Sequence, residues 1–120
     1  MKATLLVAAL ALPAFAQDGG CATGDVPARL ACGQERLRLA DARLNATYED
    51  AMAAARALDA PPLPHADLLR DAQRHWIAFR DAACEAEAAR NPGDATRTLV
   101  RLECLARLTE GRTGDLLVLR

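Results

Sequence analysis

Two proline-containing breaks divide the chain into three stretches with helical periodicity. The breaks are Asp59-Ala60-Pro61-Pro62 and Asn91-Pro92-Gly93. Proline cannot donate the backbone hydrogen bond that continues a helix, and it disfavours helical geometry in the residue before it. No stretch shows the alternation of apolar and polar residues that is typical of a half-buried strand. The sequence therefore predicts a small all-α protein, an antiparallel three-helix bundle with short loops.

The first predicted helix follows Asp25, an N-cap residue with Pro27 close behind it, and runs to about Leu58. Its apolar residues recur with heptad-like spacing and predict one inward face. These residues are Leu30, Leu37, Leu44, Tyr48, Ala51, Ala55 and Leu58.

The second predicted helix begins at Pro64 or His65, ends at about Arg90 and contains the only tryptophan, Trp76. Spacings of three and four predict an inward face of Leu69, Ala72, Trp76, Phe79, Ala83 and Ala86. Since the chain has so few aromatic residues, we expect its core to form around Trp76 and Phe79.

The third predicted helix is capped by Asp94 and starts at about Ala95. Its inward residues are predicted to be Leu99, Leu102, Leu105 and Leu108. Gly111 and Gly114 each weaken a helix by about 1 kcal/mol relative to alanine. We therefore expect the last turns, through Leu116 and Leu119, to be frayed or bent.

The first sixteen residues have the features of an export signal. Lys2 precedes an apolar run, and Ala14-Phe15-Ala16 forms a cleavage signal. The run is shorter than the roughly 20 residues that cross a bilayer. The sequence predicts a signal peptide at 1–16 and a mature periplasmic or secreted domain at 17–120. Asp18-Gly19-Gly20 before Cys21 is not a lipobox.

The charge of the chain argues against several classes of partner. Removing Lys2 with the signal peptide changes the formal net charge from −1 to about −2. The arginines are scattered among acidic residues instead of forming one stripe. Nucleic acid and anionic membrane are therefore not expected as partners.

Four cysteines lie in the predicted mature domain: Cys21, Cys32, Cys84 and Cys104. An even number in a small exported domain predicts two disulfides, and the spacings do not fit a zinc site. Antiparallel packing of the second and third helices favours Cys84–Cys104, which leaves Cys21–Cys32. The other pairings stay open at this point.

Several polar residues have helical spacings that predict one cluster. Asp41, Asn45 and Tyr48 share a face of the first helix, and a second group flanks Trp76. Such a cluster is either a contact surface for a protein partner or a set of hydrogen bonds between helices, with Arg80 opposite Asp41. The full candidate set is Asp41, Asn45, Tyr48, Gln73, Trp76, Arg80, Asp81, Thr109 and Arg112.

Catalytic, metal and cofactor sites are not predicted. Asp71 and His75 lie one helical turn apart, but two ligands do not make a metal site. Asp81, Glu85 and Glu87 do not resemble an acid–base pair, because nothing in the sequence indicates a pocket that would separate their pKa values. We expect a protein that binds and is not an enzyme.

Three motifs resemble the N-terminal domain of the lysozyme inhibitor LprI family. They are D-x-x-L-N-x-x-Y at 41–48, A-Q-x-x-W-x-x-F-R-D-x-x-C at 72–84 and C-x-x-x-L-T-x-x-R at 104–112. The resemblance covers Cys21 to about Leu116. It implies an exported, disulfide-bonded helical protein that inhibits lysozyme or another peptidoglycan hydrolase.

The chain departs from the mycobacterial lipoprotein that gives this family its named activity, because it lacks a lipobox. It also has Asn91-Pro92-Gly93-Asp94 where many relatives carry a Gly-Gly-Ser turn. The alternative function is a non-catalytic interaction or immunity-type module of the cell envelope with an unidentified protein partner.

Overall fold

A computed structural model describes residues 20–60 and 62–120. Three helices follow one another: α1 (Val26–Leu58), α2 (His65–Ala88) and α3 (Asp94–Leu117). They confirm the predicted all-α bundle, in which the α1–α3 interface is the most extensive. The predicted signal peptide at 1–16 and the start of the mature domain at 17 lie outside the described residues. Among the described helices, none is long and apolar enough to cross a membrane.

Each helix begins with a different arrangement of backbone and side chain. Asp25 caps α1 as predicted, because its Oδ1 accepts a hydrogen bond of 2.9 Å from the Ala28 amide. α2 starts after Pro64, which has no side-chain cap, and Asp59 Oδ1 instead accepts from the Ala66 amide at 3.0 Å. The predicted cap at Asp94 is wrong: Gly93, with φ of +83°, precedes the helix, and Asp94 is its first residue.

The end of α3 differs from the frayed or bent segment that its glycines predict. The helix continues to Leu117, and Leu116 is fully buried in the main core cluster. Burial of a leucine side chain contributes about 1.5–3 kcal/mol, which offsets the roughly 2 kcal/mol that the two glycines cost together. Tertiary packing therefore keeps this segment helical.

The main core cluster joins all three helices. Its members are Leu44, Ala51, Met52, Ala55, Ala66, Leu69 and Leu116, with Tyr48 and Trp76 packed against it. A second cluster contains Cys84, Cys104 and Leu105. The predicted inward face of α1 is confirmed at Leu44, but Leu58 is exposed because it lies at the helix end.

α2 is rotated relative to the face that the spacing predicts. Trp76 is half-buried as expected, whereas Phe79 is 61% exposed, and Ala72 and Ala86 also face solvent. The prediction that Phe79 forms part of the core is therefore wrong. The residues that turn inward are Ala66, Leu69, Gln73, Cys84 and Ala88, with Trp76, Arg80 and Ala83 partly buried.

Both disulfides have the favoured pairing. Cys21 bonds to Cys32 and Cys84 to Cys104, with 5.5 Å between the Cα atoms in each case. The first bond ties the segment before α1 to that helix. The second joins α2 to α3 and is almost completely buried. Because all four cysteines are paired, none is available as a thiolate ligand for zinc.

Gly33 permits a close approach of α1 and α3. It is buried, and a Cβ placed on it would lie 3.3 Å from both Cβ and Cδ1 of Leu102. The same construction at Gly111 and Gly114 meets nothing within 4 Å. A side chain at Gly33 would thus press against Leu102, while Gly111 and Gly114 have space around them.

We predict unequal effects of alanine at these two kinds of glycine. Gly111→Ala and Gly114→Ala should each raise the free energy of unfolding by up to about 1 kcal/mol, through helix propensity alone. Gly33→Ala should gain less or destabilise, because Leu102 must move. Urea denaturation followed by circular dichroism measures all three variants. Equal stabilisation at Gly33 and Gly111 would contradict the close α1–α3 packing.

We also predict unequal losses when the disulfides are removed. Loop closure alone is worth about 3 kcal/mol for each bond, on a chain-entropy estimate. The two losses of stability should differ because only one bond is buried in a core cluster. A Cys84→Ala/Cys104→Ala variant therefore also loses core packing. It should unfold at lower urea than Cys21→Ala/Cys32→Ala. The reverse order would show that the N-terminal bond is the more important one.

Candidate functional site

Arg80 connects all three helices. From α2, its Nη1 donates to Asp41 Oδ1 on α1 at 3.2 Å and to Thr109 Oγ1 on α3 at 3.1 Å. Its Nε donates to the neighbouring Asp81 at 3.0 Å. The Arg80 side chain is only 16% exposed, and Thr109 is fully buried. This guanidinium therefore gives the buried Thr109 hydroxyl a hydrogen-bond partner and links it to the partly exposed carboxylate of Asp41.

Two guanidinium groups lie close to the Trp76 ring. The Cζ atoms of Arg80 and Arg112 are 5.4 and 5.9 Å from the centroid of its ring. Arg112 also donates from Nε to Gln73 Oε1 at 3.0 Å, and Gln73 is buried. Each cation–π contact contributes about 0.5–2 kcal/mol, depending on how dry the site is. The ring and both arginines thus form one packed unit.

The structure brings most of the predicted candidate residues together. We call the connected set the three-helix polar network: Asp41, Gln73, Trp76, Arg80, Asp81, Thr109 and Arg112. Two candidates lie outside it. Asn45 is exposed on α1, and Tyr48 is half-buried against the main core cluster.

The network has the properties of a scaffold. Its central groups are inward, and its hydrogen bonds run between helices instead of toward solvent. No buried side-chain nitrogen or oxygen in the described part of the chain lacks a hydrogen-bond partner. A network with all its groups satisfied fixes the relative positions of the helices. It leaves little polar capacity for a ligand.

Further arginine–carboxylate pairs link the helices at the protein surface. Arg36 donates twice to Glu110, at 3.0 and 2.8 Å, and this contact raises the pKa of the Arg36 guanidinium. Arg101 pairs with Glu85, and Arg107 with Glu87. These pairs are largely exposed, so each contributes at most about 1 kcal/mol.

Within residues 20–60 and 62–120, no group of three or more His, Cys, Asp or Glu side chains could hold a metal ion. Asp71 and His75, the pair considered from the sequence, are both exposed on α2. Glu85 and Glu87 are each paired with an arginine of α3.

Sequence reasoning missed two features of the molecule. The tight contact of Gly33 with Leu102 was not predicted, because glycine carries no periodic signal. Phe79 belongs to the A-Q-x-x-W-x-x-F-R-D motif, yet it lies on the surface of α2. A spacing of three from Trp76 suits either the inward face or the stripe beside it, so periodicity alone did not distinguish them.

Comparison with known proteins gives one family and one relative. A family model described as lysozyme inhibitor LprI matches residues 21–116, which include both disulfides. An uncharacterized protein of Rhizobium meliloti is 36% identical over 92 residues, covering 71% of this chain. The match spans 66% of that relative, slightly less than two thirds of its length. No solved structure matches the chain.

We predict that Arg80→Ala lowers the free energy of unfolding by about 1–3 kcal/mol, because it leaves the buried Thr109 hydroxyl without its partner. Arg74→Ala is the matched control, since Arg74 is exposed on the same helix. It should change stability by less than about 0.5 kcal/mol. Urea denaturation compares them, and equal midpoints would assign Arg80 to a contact surface instead of the scaffold.

Proposed function

Because this chain belongs to the LprI family of lysozyme inhibitors, we propose that it is an exported protein that binds and inhibits lysozyme or another peptidoglycan hydrolase. The single observation that carries the proposal is the extent of the family match. It includes all of α1 and α2, nearly all of α3 and both disulfides. The matched unit is therefore the whole folded bundle and not an isolated motif.

The two disulfides support the proposed location. Disulfides persist in oxidising compartments, such as the periplasm and the extracellular space, and are rare in the cytosol. All four cysteines are paired in the bundle. An inhibitor that works on the cell wall needs this location, because its target acts there.

Inhibition here means covering or filling the substrate cleft of the target enzyme. A rigid bundle suits that role, because little conformational entropy is lost when a preorganised surface binds. The three-helix polar network and the Cys84–Cys104 bond supply the rigidity. The chain contributes no chemical step of its own in this mechanism.

A second candidate function is an interaction or immunity-type module of the cell envelope that binds some other exported protein. The observation in its favour is that the polar motif residues are mostly turned inward. Gln73 and Thr109 are buried, and Arg80 is nearly so. In this second candidate function the family motifs maintain the bundle, and the exposed surface determines which partner binds.

A cell-wall turbidity assay tests the proposal. The oxidised protein, recovered from the periplasm of an expressing bacterium, is titrated against chicken-type, goose-type and invertebrate-type lysozymes. We expect dose-dependent inhibition of at least one type, saturating near one inhibitor per enzyme. Protein whose disulfides have been reduced and alkylated is the control, and it should lose the inhibition with its fold.

Absence of inhibition against all three types, at large molar excess of folded protein, would contradict the proposal. Circular dichroism of the same sample establishes that the protein is folded. That result would favour the envelope module with another partner.

A further inference from the structure

The two disulfides differ in how far solvent can reach them. Cys84 and Cys104 are 0% and 1% exposed, whereas Cys21 and Cys32 are both partly exposed. The Cys21–Cys32 bond also forms part of the wall of a surface hollow. Thiol–disulfide exchange requires an attacking thiolate to reach a sulfur atom, so an accessible bond reacts before a buried one. A reductant can therefore reach the N-terminal bond of the folded protein much more readily than the bond between α2 and α3.

The segment that this accessible bond ties down has few other attachments. We call residues 20–24 the N-terminal strap, and all of them except Cys21 are exposed. Within the described part of the chain, no backbone–backbone hydrogen bond joins the strap to another residue. Arg29 Nε donates to the Cys21 carbonyl at 3.2 Å, and the Gly20 carbonyl oxygen lies 3.5 Å from Cys32 Sγ. The disulfide is thus the principal attachment of the strap to α1.

The strap covers one end of the seam between α1 and α3. Cys21 and Ala22 form part of the wall of a small cavity of about 90 Å³, whose other walls include Gly33, Leu99 and Leu102. Leu102 is only 9% exposed. Movement of the strap away from α1 would open this cavity and give solvent access to apolar side chains of α3.

The folded bundle does not depend on contacts of the strap. Neither core cluster contains a strap residue. Asp25 follows the strap and caps α1 through a local hydrogen bond to the Ala28 amide, which does not require the disulfide. Arg36 and Glu110 link α1 to α3, and the buried disulfide joins α2 to α3. Release of the strap is therefore a local opening and not global unfolding.

We propose that the Cys21–Cys32 bond is redox-sensitive and controls the position of the N-terminal strap. Reduction by a dithiol breaks this bond, releases the strap and opens the cavity between α1 and α3. The bundle and the Cys84–Cys104 bond stay intact. This device goes beyond the proposed function and does not depend on which enzyme is the target.

The reduction is an exchange of thiols and disulfides between the protein and the dithiol. A thiolate of the dithiol attacks one sulfur of the bond, which forms a mixed disulfide and releases the other cysteine as a thiolate that takes up a proton. The second thiol of the reductant loses its proton and attacks the mixed disulfide, so the first cysteine is released and protonated in turn. The protein gains two electrons and two protons, and the dithiol, which loses them, leaves as a disulfide.

The first experiment measures the order in which the two bonds open. Folded, oxidised protein is incubated with dithiothreitol without denaturant, free thiols are trapped with iodoacetamide at successive times, and mass spectrometry locates the label. We expect Cys21 and Cys32 to be labelled at least about tenfold faster than Cys84 and Cys104, because their sulfurs are accessible. Circular dichroism of the partly reduced protein should retain the helical signal.

The second experiment measures the release of the strap without a reductant. Hydroxyl-radical footprinting compares the unmodified protein with a Cys21→Ser/Cys32→Ser variant. We expect oxidation of Leu102 to rise about twofold or more in the variant, because a local opening exposes it. Leu105 on the same helix, which is 4% exposed in the second core cluster, should stay protected. Thr23→Ala is the matched control, since it changes an exposed strap residue, keeps the disulfide and should leave Leu102 protected.

Three results would overturn the proposal. Labelling of all four cysteines at similar rates would show that burial does not separate the two bonds. Loss of the helical signal together with the Cys21–Cys32 bond would make that bond a requirement of the fold. Unchanged oxidation of Leu102 in the folded serine variant would show that the strap stays in place without the bond. None of these measurements uses a lysozyme, so their failure is distinguishable from failure of the proposed function.

Discussion

The contact of the Arg80 guanidinium with all three helices is the interaction on which the rest of the surface depends. When the apolar residues of a helix recur at spacings of three and four, more than one stripe of side chains can face the core. Arg80 selects among them, because its donors reach Asp41 and Thr109 only when α2 is rotated so that Gln73 and Arg80 face inward. Phe79 and Leu68 then face solvent. A polar network inside the bundle thus determines which apolar residues are available outside it.

Close packing and covalent bonds supply the remaining constraints on this small core. Gly33 lets α1 approach Leu102 on α3, and the buried Cys84–Cys104 bond joins α3 to α2. A domain of this size buries a limited apolar area, and disulfides commonly compensate for that. Leu116 closes the core at the far end of α3, where helix propensity is weakest. Packing, not propensity, keeps those last turns in place.

The family motifs contain residues with two different positions in the structure, and the motifs alone do not distinguish them. Apart from Asn45 and Asp81, which are exposed, the polar motif residues are buried or half-buried, and hydrogen bonds of Arg80 and Arg112 link the helices. Phe79 lies in the middle of the same motif but on the outside. α2 therefore carries inward polar groups and the exposed Phe79 on different faces.

The three helices, their approximate bounds and two disulfides could be predicted from the sequence, because proline breaks, apolar periodicity and an even number of cysteines can be read without knowing the fold. A pairing of Arg80 with Asp41 was one of two interpretations of the polar motif residues. The rotation of α2, the exposure of Phe79, the close approach at Gly33 and the helical end of α3 follow only from the tertiary structure. The physical reason is that each of these depends on contacts between residues far apart in the chain. Local spacing is equally compatible with neighbouring stripes of the same helix, and the lowest free energy is set by which of them lets polar groups on three helices find partners.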